Sequence, residues 1–412
     1  MIWGVATAAI QIEGALDEDG RGESIWDRFP AANGDSPAIA CDHYHRWPQD
    51  LDLMRELGVD SYRFSIAWPR ILPNGRGTPN RAGLDFYRRL VEGLLERGLE
   101  PNATLYHWDL PQPLQDAGGW ASRGTALAFA EYAAVVVDEL ADVVPRWATH
   151  NEPAVTTWLG HLTGDKAPGH RDLREALRAG HHVLLSHALA LRELRRHDVQ
   201  AGIVLDLTTV YGDDATAVAR LDAHRNRFFL DPLFRGSYPD AFDRPDCIED
   251  GDLELISRPI DWLGVNYYFP VHVTADGTEL PPRPPTTAMG WEVDADAFHE
   301  LLLRLRREYG GVPIYVTENG AAYDDPEPVD GVVEDPERLA YIRDHIAAVE
   351  RAIADGVDVR GFYVWSLLDN FEWEYGYDKR FGIVAVDYET QRRTPKRSAL
   401  WYRDLIASRR TG

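Results

Sequence analysis

Short runs of apolar and β-branched residues alternate along the whole chain with longer stretches whose apolar positions recur at i, i+3 and i+4. The short runs predict strands at 2–8, 61–66, 101–106, 146–151, 202–207, 260–265, 313–317 and 360–366. The longer stretches predict helices, among them 84–97, 173–196 and 298–308. In the first of these, Leu84, Tyr87, Leu90, Val91, Leu94 and Leu95 share one face, which should be buried. Eight alternating strand–helix units suit an α/β fold of the (β/α)8, or TIM, barrel type. An open dinucleotide-binding sheet is disfavoured, because no glycine-rich phosphate fingerprint follows the first strand. The irregular stretches 67–83, 107–122, 208–220, 268–297 and 366–395 all follow strands, so they should gather at the C-terminal face, where barrel chemistry sits. The proline-rich run at 281–285 reads as a stiff loop of that face rather than a linker. With no internal repeat or low-complexity tract, a single domain over 1–412 is expected.

Composition narrows the function. The chain carries a net charge of −24, which disfavours nucleic acid and anionic membranes as partners, since phosphate contacts require basic patches. No apolar run reaches the roughly 20 residues a membrane helix needs. The first residues, MIWGVATAAIQIEG, have no basic leader and meet Gln11 and Glu13 quickly, so they read as a strand and a cytoplasmic location is expected. Cys41 and Cys247 lack metal-type spacing and read as free thiols. His43 and His45 have no third ligand in view, which favours structural hydrogen bonding over a metal.

Two strands end on a carboxylate. IYVTENG delivers Glu318 to the exit of the 313–317 strand, and RWATHNEP delivers Asn151 and Glu152 to the exit of the 146–151 strand, with Pro153 closing it. Carboxylates are rarely buried without a partner or a task. Paired carboxylates at a barrel mouth, among tryptophans and amides, are what hydrolysis of a sugar acetal requires: one acid protonates the leaving oxygen while a carboxylate meets the oxocarbenium-like carbon. Trp108, Trp291, Trp365 and Trp373 fall at or after strand ends, where their faces can stack on a sugar ring, whereas a barrel core is filled by branched aliphatics.

The motifs WGVATAAIQIEGA, YRFSIAWPRILP, TLYHWDLPQPL, THNEP, DWLGVNYY, YVTENG and VWSLLDNFEWEYGYDKRFGIVAVDY occur in that order. From Trp3 to about Leu405 the chain resembles family 1 of the glycoside hydrolases, the β-glucosidase family. The resemblance implies that Glu152 is the general acid/base and Glu318 the nucleophile, with Asn151 holding the sugar 2-hydroxyl. It places Arg63 and Tyr268 beside Glu318, the arginine because a nearby cation favours the carboxylate form. Gln11, His107, Glu372 and Trp373 would bind the outer hydroxyls and Trp365 would floor the ring; Trp108 and Asn266 would support them, and Trp291 would line the leaving-group side. It further implies retention of configuration, carboxyl groups about 5–5.5 Å apart and no cofactor. The partner it implies is a small β-glycoside or short oligosaccharide.

Three departures from the family pattern stand out. His150 replaces an aromatic residue beside Asn151 and should alter the titration of Glu152. Ala154 stands where a bulky aromatic is common, which should open the leaving-group side. The loops are short, implying fewer contacts there. A 6-phosphoglycosidase is a poor rival, because Glu372 would face the phosphate. β-Galactosidase, β-fucosidase or transglycosidase activity remains compatible with the same residues, and a non-catalytic sugar-binding scaffold would have lost one of the two glutamates.

Overall fold

All eight predicted strands form, each within a few residues of its expected bounds, in a computed structural model that describes every residue except Phe242 and Gly412. They are β1 (Ile2–Ala6), β2 (Ser61–Ser65), β3 (Glu100–Tyr106), β4 (Arg146–Asn151), β5 (Gln200–Asp206), β6 (Trp262–Asn266), β7 (Ile314–Asn319) and β8 (Val359–Trp365). Each pairs in parallel with its neighbour, and β1 closes the ring between β2 and β8. A closed parallel barrel has no free edge, and its strands, covered on both faces, are buried almost throughout.

Helices wrap the barrel as the apolar spacing requires. Arg81–Glu96 buries Leu84, Tyr87, Leu90, Val91 and Leu94. Leu95, expected on the same face, is 45% exposed in the last turn, where helix ends are least constrained. The 173–196 and 298–308 predictions appear as Leu173–Leu194 and Ala295–Tyr309, capped by Asp172 and Asp294 respectively. The helix Arg397–Thr411 returns under the start of the barrel: the Tyr402 hydroxyl donates to the Gly4 carbonyl, and Arg410 pairs with Asp60, just before β2. Among the described residues no helix is long and apolar enough to cross a membrane.

The ladder is irregular once at the start of β8, between Val359 and Gly361, and otherwise near the mouth. Register shifts occur between Ala148 and Asn151 of β4, between Val265 and Asn266 of β6, and between Phe362 and Val364 of β8 opposite β7. Bulges of this kind redirect side chains and recur beside active sites. In β4 the shift sends two consecutive side chains outward: Thr149 reaches His187 at 2.7 Å and His150 reaches Ser186 at 2.7 Å, both on Leu173–Leu194. In β7 it brings two consecutive side chains, Thr317 and Glu318, to the mouth.

Candidate active site

A cavity of about 390 Å³ opens at the C-terminal ends of the strands, and Glu152 and Glu318 both line it. Glu318 accepts from Arg63 Nη1 at 2.7 Å through one oxygen and from the Tyr268 hydroxyl at 2.6 Å through the other. Arg63 also donates to Asn151 Oδ1 at 2.6 Å, which ties the two strand ends together. Gly320 follows because a Cβ there would collide with the Trp365 carbonyl oxygen, so the chain leaves β7 pressed against the end of β8. Burial raises the Glu318 carboxyl above the ordinary glutamate range, and Arg63 and Tyr268 work against that rise.

Glu152 sits differently. It has a left-handed backbone (φ 48°), a conformation uncommon outside glycine that concentrates at functional sites. Its carboxylate accepts one bond, from Asn266 Nδ2 at 2.6 Å. Burial, then the negative charge of Asp206, then that of Glu318, push it well above the usual carboxylate range. The pair therefore consists of one carboxyl whose anion is supported and one whose proton is favoured, the division that separates nucleophile from acid.

Asn266 joins both halves: its amide also donates to Asn151 Oδ1 at 3.1 Å while its own oxygen accepts from Thr317. Asn151 donates to His107 Nε2 at 3.0 Å. Burial, helped by Arg63, pushes the His107 imidazole well below its usual range and keeps it neutral. With Nε2 accepting, Nδ1 carries the proton, and this N–H has no partner among the described residues. His107 lies parallel to Trp365 and Trp373, with ring centroids 5.7 and 5.9 Å away. Trp108, Trp291, Trp365, Trp373 and Glu372 all line the cavity. Glu372 accepts from Gln11 at 3.1 Å and is pushed by burial to about 8. Gln11, Arg63 and Asn151 lie behind this wall, bonded to the groups that form it.

Two sequence expectations need correction. His150 does not bear on Glu152: the β4 bulge turns its ring outward onto Phe129, at 4.5 Å between centroids, and burial keeps it neutral. Ala154 is buried and does not line the cavity, whose wall at that point is Val155 and Leu159. Glu13 pairs with Arg70 at 3.0 Å. His43 and His45 bond to Asp50 and Asp42. Both cysteines are free.

Asp206, Lys166 and Arg225 also line the cavity, and the sequence reading passed over them. Asp206 is a third strand-end acid, visible in GIVLDL, with no side-chain partner among the described residues; burial raises it to about 7. Lys166 pairs with Glu374 at 2.6 Å and lies 5.5 Å from the Trp108 ring centroid.

The family model described as glycosyl hydrolase family 1 matches residues 1–411. The chain belongs to glycosyl hydrolase family 1. Members of this family are retaining glycosidases. The chain is 50% identical to a protein named thermostable beta-glucosidase B of Thermobispora bispora, covering 100% of this chain and 90% of that one. It is 46% identical to a bifunctional beta-D-glucosidase/beta-D-fucosidase of Bifidobacterium breve, covering 98% and 97%. The solved structure of a beta-glucosidase from Thermotoga maritima in complex with deoxynojirimycin superposes with a TM-score of 0.96 at 44% identity, covering 98% and 97%. Its barrel is the one expected from the strand–helix alternation.

Proposed function

We propose that the protein is a β-glucosidase that removes terminal non-reducing β-linked glucose by double displacement. Glu318 attacks the anomeric carbon while Glu152 donates its proton to the departing glycosidic oxygen, leaving an α-linked glycosyl ester on Glu318. Glu152, now anionic, takes a proton from water; that water displaces Glu318 and the sugar leaves with its β configuration restored. The steps use two carboxyl groups, water and the substrate. The observation that carries this reading is the contrast between Glu318, held by Arg63 and Tyr268, and Glu152, held by a single amide beside Asp206.

In the sugar pocket, Trp365 is the floor. Glu372, His107 and Trp373 meet the outer hydroxyls, with Gln11 holding Glu372 from behind, and the free Nδ1–H of His107 supports a donor role. Trp291 and Asp206 face the leaving group. β-Fucosides are the second substrate class to assay, because of the bifunctional Bifidobacterium relative. A cytoplasmic site of action is in keeping with two free thiols.

The test is proton NMR of the first sugar released from an aryl β-glucoside, with Glu318→Gly assayed alongside in the presence and absence of azide. The expected first product is β-glucose, and azide should rescue Glu318→Gly by forming the α-glycosyl azide. A first product in the α form would reject double displacement, and failure to cleave any β-glycoside would leave only a sugar-binding scaffold.

A further inference from the structure

After Glu152 the chain enters a wide helical segment, Val155–Thr163, and the following loop, 164–172, folds back along it. The amides of His170 and Asp172 donate to the carbonyls of Gly160 and His161, each at 2.9 Å, so the loop is pinned where two histidines meet. The rings of His161 and His170 stand edge to face, 5.5 Å apart. Glu175, in the first turn of Leu173–Leu194, completes a cluster in which one ligand atom from each residue lies within 4.8 Å of the other two. Among the described residues it is the one such trio of His, Cys, Asp or Glu.

The tautomers give the cluster its chemistry. His161 Nδ1 lies 2.7 Å from the Thr156 carbonyl oxygen, which can only accept, so Nδ1 carries the proton and Nε2 the lone pair. That Nε2 is fully buried and has no partner among the described residues. His170 Nδ1 lies 2.6 Å from a Glu175 oxygen, so a cation entering there would take the place of the proton these two atoms share. His161 thus donates one N–H to a carbonyl and keeps its other nitrogen open, the arrangement metal-bound histidines adopt. Burial lowers His161 and keeps it unprotonated at neutral pH, as a ligand must be.

We propose that His161, His170 and Glu175 bind a zinc ion. Two imidazole nitrogens and a carboxylate oxygen suit zinc and not the oxygen-seeking magnesium or calcium. Zinc–ligand bonds of about 2.0–2.2 Å require the three atoms roughly 3.3 Å apart. Rotation of the partly exposed His170 and Glu175 side chains toward the fixed His161 supplies that closure, and water takes the fourth position. The ion would fasten loop 164–172 to the segment that follows Glu152. Because Asp165 and Lys166 of this loop line the cavity, occupancy would stiffen its leaving-group wall. The proposal is independent of the catalytic roles assigned above.

The test uses chelator-treated full-length protein titrated calorimetrically with zinc chloride, with magnesium chloride as the contrasting cation. One equivalent of zinc is expected to bind, magnesium is not, and Tm should rise with the logarithm of zinc concentration. His170→Ala and Glu175→Gln, both partly exposed and compatible with folding, should each weaken binding by at least about tenfold. His45→Ala, which removes a surface histidine paired with Asp42 and Glu18, should leave it unchanged. Cobalt in place of zinc should give visible d–d bands that vanish in His170→Ala. Absence of stoichiometric uptake, or uptake indifferent to His170→Ala and Glu175→Gln, overturns the site.

Discussion

The two glutamates at the mouth occupy opposite kinds of niche, although each stands at the C-terminal end of a strand that the ladder distorts. Glu318 is surrounded by donors: a guanidinium on one oxygen and a phenol on the other. Glu152 faces the anions Asp206 and Glu318, with one amide as its side-chain donor among the described residues. Burial raises both carboxyls, and the neighbours decide which of them is helped to ionise. Two residues of one chemical type thus acquire different roles from residues far away in sequence, Arg63 and Tyr268 in one case and Asp206 and Asn266 in the other.

The sharpest break of this contrast is removal of the Glu318 carboxylate, the proposed nucleophile. Glu318→Gln should lower kcat by roughly 10⁴-fold or more on every substrate, because the covalent step is lost; a burst-free residual rate close to wild type would refute its role. Glu152→Ala should be more selective. It should cost roughly 10²–10⁴-fold for alkyl glycosides and disaccharides, which need a proton on the departing oxygen. Dinitrophenyl glycosides should cleave far better than these, which a series of leaving groups will reveal. Removing one donor from Glu318 tests its niche alone: Tyr268→Phe deletes a bond to a charged group, about 2 kcal/mol or roughly 30-fold in kcat. It should also raise the Glu318 pKa, so the acid limb of the kcat/KM profile should move to higher pH. The smallest change is expected for Asp206→Asn. Asp206 opposes ionisation of Glu152, so its neutralisation should lower the Glu152 pKa and move the basic limb to lower pH, by about one unit or less. An unmoved limb would detach Asp206 from Glu152.

The barrel was legible because its strands are buried on both faces and its helices carry a clear stripe, so both periods survive in the sequence. The catalytic candidates were legible because their motifs retain their neighbours, Asn151 before Glu152 and Asn319-Gly320 after Glu318. The direction of a side chain at a bulge was not. Simple alternation would put Thr149 and His150 on opposite faces of β4, and the register shift sends both to the helix layer, so closeness in sequence to Glu152 gives His150 no place beside it. Asp206 and Lys166 escaped for another reason. Their importance lies in what they approach across the cavity, and Lys166 meets Glu374 from a distance in sequence that no local pattern encodes.

The closure of the barrel has a practical side. Ile2 opens β1 at the rim opposite the mouth, and Arg410 is anchored beside Asp60 at that same rim. A bead, a surface or a fused carrier attached near either residue therefore hangs from the floor of the molecule. Immobilised by that end, the catalyst faces the feed stream with its entrance unobstructed, and turnover per molecule on a support should match that in free solution.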